Sequence, residues 1–268
     1  MLVHLDTDFA GDTDDAAALA MLLGWPDTEI VGITTTADPD GSRAGYVQYL
    51  LELGGRDDIP VEAGAGVSLA GAPMGELPDH AAYWDDTVVA PKPSSEGAAV
   101  ELMANGLEHG ATIVAIGPYT NVARLETTRP GILGAARVVL MGGWVYPPAE
   151  GLPPWGPARD WNVQCDTAAA VQVFDAAGDL TLATLTGTLR AHLRAAHLRR
   201  LEASGPIGRL LARQARAHAA EHRKTELGRA HSALPDDLLN FQFDPVACAV
   251  ALGWSGATIA RLHLRPVL

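Results

Sequence analysis

Cysteine and lysine are scarce in this 268-residue chain, with Cys165 and Cys248 the only cysteines and Lys92 and Lys224 the only lysines. Two cysteines cannot build a disulfide framework, so the sequence predicts a reducing compartment, the cytoplasm. Positive charge is short altogether: 19 Lys and Arg face 32 Asp and Glu, a net of −13. That balance leaves no basic face to displace phosphate counterions and argues against nucleic acid as a partner. Apolar runs such as Ala16–Trp25 fall well short of the roughly 20 residues that cross a bilayer. The N-terminus enters an apolar strand without a basic leader region, so neither a signal peptide nor a membrane partner is expected. Repeats, low-complexity blocks and linkers are missing too.

What is present is an alternation of strand-length apolar runs with helix-length segments. Strands are predicted at Leu2–Leu5, Glu29–Thr34, Ile59–Ala63, Thr112–Ile116, Arg137–Met141, Leu180–Leu185 and Thr258–Leu264. Helices are predicted at Asp14–Leu23, Gly41–Leu53, Glu96–Glu108, Asn121–Glu126, Thr167–Ala176 and Asp244–Leu252, with a further helical stretch from Leu189 to Arg229 broken at Gly205–Pro206. Gly64–Ser94 and Gly142–Arg159 are rich in Gly and Pro and read as long loops, which in a compact domain are usually functional. Such alternation implies right-handed crossovers and an α/β fold: an open, mostly parallel sheet flanked by helices. At about 150 residues per domain the length allows one large domain or two. Without a linker the reading is one domain over residues 1–268. In such sheets ligands bind beyond the carboxyl ends of the strands.

Five carboxylates, Asp6, Asp8, Asp12, Asp14 and Asp15, fall within ten residues at the end of the first strand and the start of the first helix. Helix capping accounts for one or two of them. Five crowded acids repel one another, and a hard divalent cation with oxygen ligands relieves that repulsion.

The run DTDFAGDTDDAAAL resembles the N-terminal signature of the inosine–uridine-type nucleoside hydrolases. The likeness continues in order along the chain. Ile33-Thr-Thr-Thr36 with Asp38, Ile59–Gly66, Ile116-Gly-Pro-Tyr-Thr-Asn121, Met141-Gly-Gly143, Arg159-Asp-Trp-Asn162 and Phe243-Asp244-Pro245 are similar to successive family segments. The resemblance implies a Ca²⁺ ion held by Asp8, Asp15, the Ile116 carbonyl and Asp244, carrying a water and two ribose hydroxyls. It implies Asp8 as general base on that water and substrate contacts from Asp14, Asp38, Met141, Asp160 and Asn162. It further implies a small-molecule nucleoside substrate and a homodimer or homotetramer. Breaking an N-glycosidic bond passes through a ribosyl cation, which a carboxylate-rich pocket stabilises.

Three departures stand out. Asp38 stands where relatives usually have Asn, and Asp160 where Glu is commoner. Phe243 occupies the position of a His beside the leaving base, and a phenyl ring stacks but donates no proton. His222, His231, His80 and Tyr83 are the candidate replacements. The chain also ends sooner after its last strand than the family pattern leads one to expect.

Other motifs carry less. His218-Ala-Ala-Glu221-His222 fits a zinc-protease pattern but reads better as a solvated helix face. Arg190–Arg200 reads as a charged helix face. The glycines of Gly64–Gly75 do not form a dinucleotide fingerprint, and the cysteines read as buried apolar residues. Trp155, Trp161, Tyr83 and Trp84, in or beside the long loops, are candidate stacking surfaces for a base. Three competing functions remain open. Asp6-Thr-Asp8 resembles the nucleophile motif of haloacid-dehalogenase-type phosphatases, and the departures leave room for a non-catalytic nucleoside- or ribose-binding protein or a specialised N-glycosidase.

Overall fold

The computed structural model describes residues 1–75, 77, 81–84 and 87–267. The chain runs β1 (Leu2–Thr7), α1 (Asp14–Gly24), β2 (Glu29–Thr35), α2 (Ser42–Leu53), β3 (Val61–Ala63), α3 (Ala98–Glu108), β4 (Thr112–Ala115), α4 (Thr120–Thr128), α5 (Ile132–Ala135) and β5 (Arg137–Met141). It continues through α6 (Trp161–Cys165), α7 (Thr167–Ala176), β6 (Asp179–Ala183), α8 (Leu185–Thr188), β7 (His192–Arg194), α9 (Leu198–Glu202), α10 (Pro206–Glu221), α11 (Lys224–Ala230), β8 (Leu238–Phe241) and α12 (Phe243–Ala251).

The first six strands form one parallel sheet in the order β3-β2-β1-β4-β5-β6. Leu5 of β1 is registered with Ile33 of β2 on one side and Val114 of β4 on the other. Successive side chains of a strand point to opposite faces, and the two cores follow that alternation. Val114 and Val139 pack with Val3, Leu5 and Leu19 on the face covered by α1, α2 and α12. Ile113, Ala115, Val138 and Leu140 pack with α3, α4 and α7 on the other. Each fully buried side chain such as Leu19 contributes about 2 kcal/mol, so these two apolar faces fix how α1 and α12 lie on the sheet and on each other.

Strand order reverses between β1 and β4, and the crevice beyond their carboxyl ends is the expected ligand site of an open sheet. The loops after these two strands approach each other closely there. A Cβ on Gly117 would lie 2.6 Å from the Asp8 nitrogen, so only glycine lets the loop after β4 sit against the loop after β1.

The structure departs from the sequence expectation in the C-terminal third. The expected closing strand, residues 258–264, joins no ladder, and β6 stays at the edge of the sheet. Its alternating pattern is strand-like, but a pattern does not supply a hydrogen-bonding partner. The stretch read as helical from Leu189 opens instead with β7, antiparallel to β8 in a separate pair. Strands of three and four residues are too short to announce themselves by periodicity. The 64–94 loop is anchored: Trp84 is buried against Tyr46, with ring centroids 4.3 Å apart, and the Lys92 nitrogen donates to the Gly41 carbonyl at 2.8 Å. Among the described residues no helix is long and apolar enough to cross a membrane.

Candidate active site

A cavity of about 690 Å³ opens beyond the carboxyl ends of the strands. One end is lined by Asp8 from the loop after β1, Asp14 and Asp15 from the first turn of α1, Ile116 after β4, and Asp244 from the first turn of α12. α1 and α12 pack side by side, so two helix N-termini deliver their acids to one point. Asp14, Asp15 and Asp244 each bring a carboxylate oxygen to within 4.8 Å of the others, and all three are buried. The Asp244 backbone nitrogen donates to Asp14 Oδ2 at 3.2 Å, and the Thr7 hydroxyl donates to Asp15 Oδ1.

Burial first, then mutual repulsion, pushes the Asp14, Asp15 and Asp244 carboxyls well above the ordinary carboxylate range. Three adjacent buried carboxylates cannot all ionise unless a counter-charge joins them. A hard cation with an all-oxygen donor set is the group that fits. Asp8 is also raised by burial, opposed by the nearby Arg43 guanidinium.

Arg43 is a residue that sequence reasoning passed over. It is buried at the cavity wall, its Nε donates to the Ala37 carbonyl at 2.9 Å, and its Nη1 donates to the carbonyls of Asp8 and Phe9. It thereby clamps the loop that carries Asp8. Trp161 Nε1 donates to Asp8 Oδ2 at 3.1 Å from a half-exposed ring. Asn162 Nδ2 donates to the Ile116 carbonyl at 2.9 Å and to the Met141 carbonyl at 3.0 Å. It leaves the second lone pair of the Ile116 oxygen for another partner. Asp160 accepts from the Gly143 nitrogen at 2.6 Å and caps α6 through the Val163 nitrogen at 3.3 Å, and burial lifts its pKa to about 6.

The structure therefore brings Asp8, Asp14, Asp15, Ile116, Met141, Asp160, Asn162 and Asp244 to one cavity. Asp38 is placed elsewhere. Its oxygens accept from the Thr35 hydroxyl at 2.7 Å and from the nitrogens of Arg43 and Ala44 at 3.0 Å, so it caps α2 and does not line the cavity. Asp6 lies fully buried behind the site. It accepts from Thr34 at 2.6 Å and Asn121 at 2.8 Å, and burial lifts its pKa to about 7. A carboxylate so enclosed does not reach a ligand, which removes the phosphatase-type nucleophile reading of Asp6-Thr-Asp8.

The other end is lined by Trp155, His218, His222, Lys224, Leu227 and Phe243. Of the three expected leaving-group candidates among the described residues, only His222 is at the cavity. His231 Nδ1 is in hydrogen-bond contact with the Leu227 carbonyl at 3.1 Å, and Tyr83 is buried with its hydroxyl donating to Glu221. His80 lies outside the described residues. Trp84, a stacking candidate, belongs to the core instead. His218 is not on a solvated face: it is 3% exposed, on the inner side of α10. Its four-residue spacing from His222 was the available signal, but only the course of α10 says which face turns inward.

A sequence model of the family described as inosine-uridine preferring nucleoside hydrolase matches residues 3–265. A pyrimidine-specific ribonucleoside hydrolase, RihA, of Salmonella schwarzengrund (strain CVM19633) is 37% identical over 210 residues, 74% of this chain. The chain spans 66% of that relative's length, just under two thirds. Among solved structures, a plant nucleoside hydrolase, PpNRh1, superposes with a TM-score of 0.77 at 24% identity, covering 94% of this chain and 78% of that one. A purine-preferring ribonucleoside hydrolase from Gardnerella vaginalis gives 0.74 at 21%, covering 94% and 80%. At those identities the structural likeness establishes the fold.

Proposed function

The chain belongs to the inosine-uridine preferring nucleoside hydrolase family, and on that footing we propose that it is an N-ribohydrolase, cleaving the bond between ribose and base in a ribonucleoside. The observation that carries this reading is the meeting of Asp8, Asp14, Asp15 and Asp244 at one end of a cavity large enough for a nucleoside. Ca²⁺ suits the donor set of Asp8, Asp15, Asp244 and the Ile116 carbonyl, and when bound it supplies a Lewis acid that makes a neighbouring water easier to deprotonate.

Everything else is work for side chains. Asp8 takes the proton of the attacking water; the tryptophan hydrogen bond and the Arg43 clamp on its loop hold it in place for that step. Asp14, beside the Asp244 backbone nitrogen, accepts from a ribose hydroxyl. Asp160, Asn162 and Met141 form the wall against which the sugar rests. The surrounding carboxylates favour the positive charge that spreads over the ribosyl ring as the C–N bond lengthens. Asp38 takes no part in this account, because both its oxygens are engaged at α2. We also propose a cytoplasmic homodimer or homotetramer, which sedimentation of the purified chain tests.

The deciding experiment is a screen of nucleosides for ribose release, beginning with uridine and cytidine because one relative is named pyrimidine-specific. Ribose released from at least one nucleoside, lost on exhaustive chelation and restored by Ca²⁺, is the expected result. Nucleoside binding without ribose release would favour the non-catalytic alternative, which the phenyl ring of Phe243 at the base end motivates. Full activity after chelation would overturn the metal assignment.

A further inference from the structure

The carboxylate end of the cavity leaves the departing base to the other end, where Phe243 can stack but cannot donate. One polar group there stands out. His218 is 3% exposed and lines the cavity, yet among the described residues neither of its ring nitrogens has a hydrogen-bond partner. Nε2 comes to 3.4 Å from Asp12 Oδ1 without the alignment of a hydrogen bond. That oxygen already accepts from Asn240 Nδ2 at 2.8 Å. Buried polar atoms are paired almost everywhere in folded proteins, and one left open on a cavity wall points to a ligand. His222, exposed at the rim, lies against the same ring at 4.3 Å between centroids, and Tyr83 packs behind it at 6.5 Å.

We propose that His218 is the leaving-group residue of this chain: its imidazole N–H donates to an acceptor on the base, a pyrimidine carbonyl oxygen or a purine ring nitrogen, and takes over the task that Phe243 cannot perform. The inference rests on the hydrolase reading above. As the C1′–N bond breaks, its electron pair passes to the base nitrogen and the hydrogen bond strengthens with the charge it meets. The hydroxyl of water adds to C1′, its proton goes to Asp8, and the base is neutralised by a proton from solvent at the His222 rim. The products are ribose and the free base. Burial holds the His218 pKa down at about 4, so the ring works as a neutral electrophile, a role imidazole fills in other enzymes.

The test compares leaving groups on the full chain with Ca²⁺ supplied. Uridine and inosine need help to release their base, whereas 4-nitrophenyl β-D-ribofuranoside releases a nitrophenolate that needs none. For His218→Ala the expected loss of kcat is about 100-fold on whichever nucleosides the wild type cleaves, and less than about fivefold on the aryl riboside. His218→Gln keeps an N–H donor and is expected to regain about tenfold of the loss. It also carries the comparison if His218→Ala fails to fold by circular dichroism. An equal loss on both substrate types, or unchanged nucleoside turnover, overturns the proposal while leaving the hydrolase reading in place. A wild-type chain that cleaves neither substrate type overturns both.

Discussion

At one end of the cavity Asp8, Asp14, Asp15 and Asp244 crowd like charges beneath two helix N-termini; at the other, His218, Leu227 and Phe243 present rings and aliphatic surface beside the cation of Lys224. The first end is held rigidly. Thr7 bonds Asp15, Trp161 bonds Asp8, Asn162 holds the Ile116 carbonyl, and Arg43 clamps the β1 loop from behind. The second end is assembled from α10, α11 and the start of α12, outside the six-stranded sheet, and leaves an imidazole open. The contrast separates two demands. On the proposed hydrolase reading, water activation and ribosyl-cation stabilisation need fixed charge at a fixed place, and the carboxylates that would supply it sit at the sheet. Recognition of the base needs shape and one or two polar contacts, so it sits on elements that can change without disturbing the sheet.

The sharpest way to break this division is to remove the base from the charged end. Asp8→Asn keeps the shape and the acceptor for Trp161 but cannot take a proton at neutral pH. The expected loss in kcat is about 10³- to 10⁴-fold, at the upper range for a general base, with little change in thermal unfolding. Reducing-sugar release measures it. An Asp8→Asn enzyme that retains a tenth of the wild-type rate would move the base to another carboxylate.

A second intervention leaves every carboxylate in place and disturbs only its support. A Cβ at position 117 would lie 2.6 Å from the Asp8 nitrogen and 2.9 Å from its Oδ1, on a residue whose carbonyl Arg43 already holds. Gly117→Ala should therefore shift Asp8 and lower kcat by about 10²-fold, with a loss of stability of about 1–3 kcal/mol. A Gly117→Ala protein with unchanged kcat would mean that the β1 loop adapts freely and that the charged end is softer than its hydrogen bonds imply.

The same division explains what was legible in the sequence. The charged end is encoded locally: five acids in ten residues follow a strand and open a helix, and strand–helix alternation says that such a turn faces a ligand. The six parallel strands were readable for the same reason, since each is an apolar run between helices. Asp38 misled because its neighbourhood resembles a sugar-contacting loop, whereas its oxygens are consumed by the N-terminus of α2. Arg43 was invisible because its partners, the carbonyls of Ala37, Asp8 and Phe9, carry no sequence signal. The far end was hidden for a geometric reason. His218, Lys224 and Phe243 come from α10, α11 and α12, of which the first two pack on β8 and the third follows it, and β7 and β8 are too short for periodicity to reveal.

The smallest expected effect is on stability, where the buried carboxyls and the buried histidines respond to pH with opposite sign. Asp6 titrates at about 7 and Asp160 at about 6, and the Asp14, Asp15 and Asp244 group is raised further. A carboxyl raised above its unfolded value binds more protons in the native state, so its contribution is complete in acid and is lost as pH rises through the native pKa. His4, lowered to about 3, and His218, lowered to about 4, do the reverse. Their unfavourable effect sets in as pH falls below the unfolded histidine value of about 6.5 and is absent above it. Below 6.5 the two trends oppose each other; above it only the carboxylates act. Metal-free protein should therefore lose stability between pH 6.5 and 8. Asp6 alone accounts for about 1 kcal/mol, or a fall in Tm of about 2–4 °C. Asp6→Asn should remove that share, because an amide does not titrate. Saturating Ca²⁺ should reduce the remaining slope further, since a cation among Asp15, Asp244 and Asp8 favours their ionised forms at every pH in the window. Thermal unfolding of both proteins, with chelator and with Ca²⁺, measures each share. A metal-free Tm that rises across the window would mean that the cavity admits enough water to ionise its carboxylates without a cation.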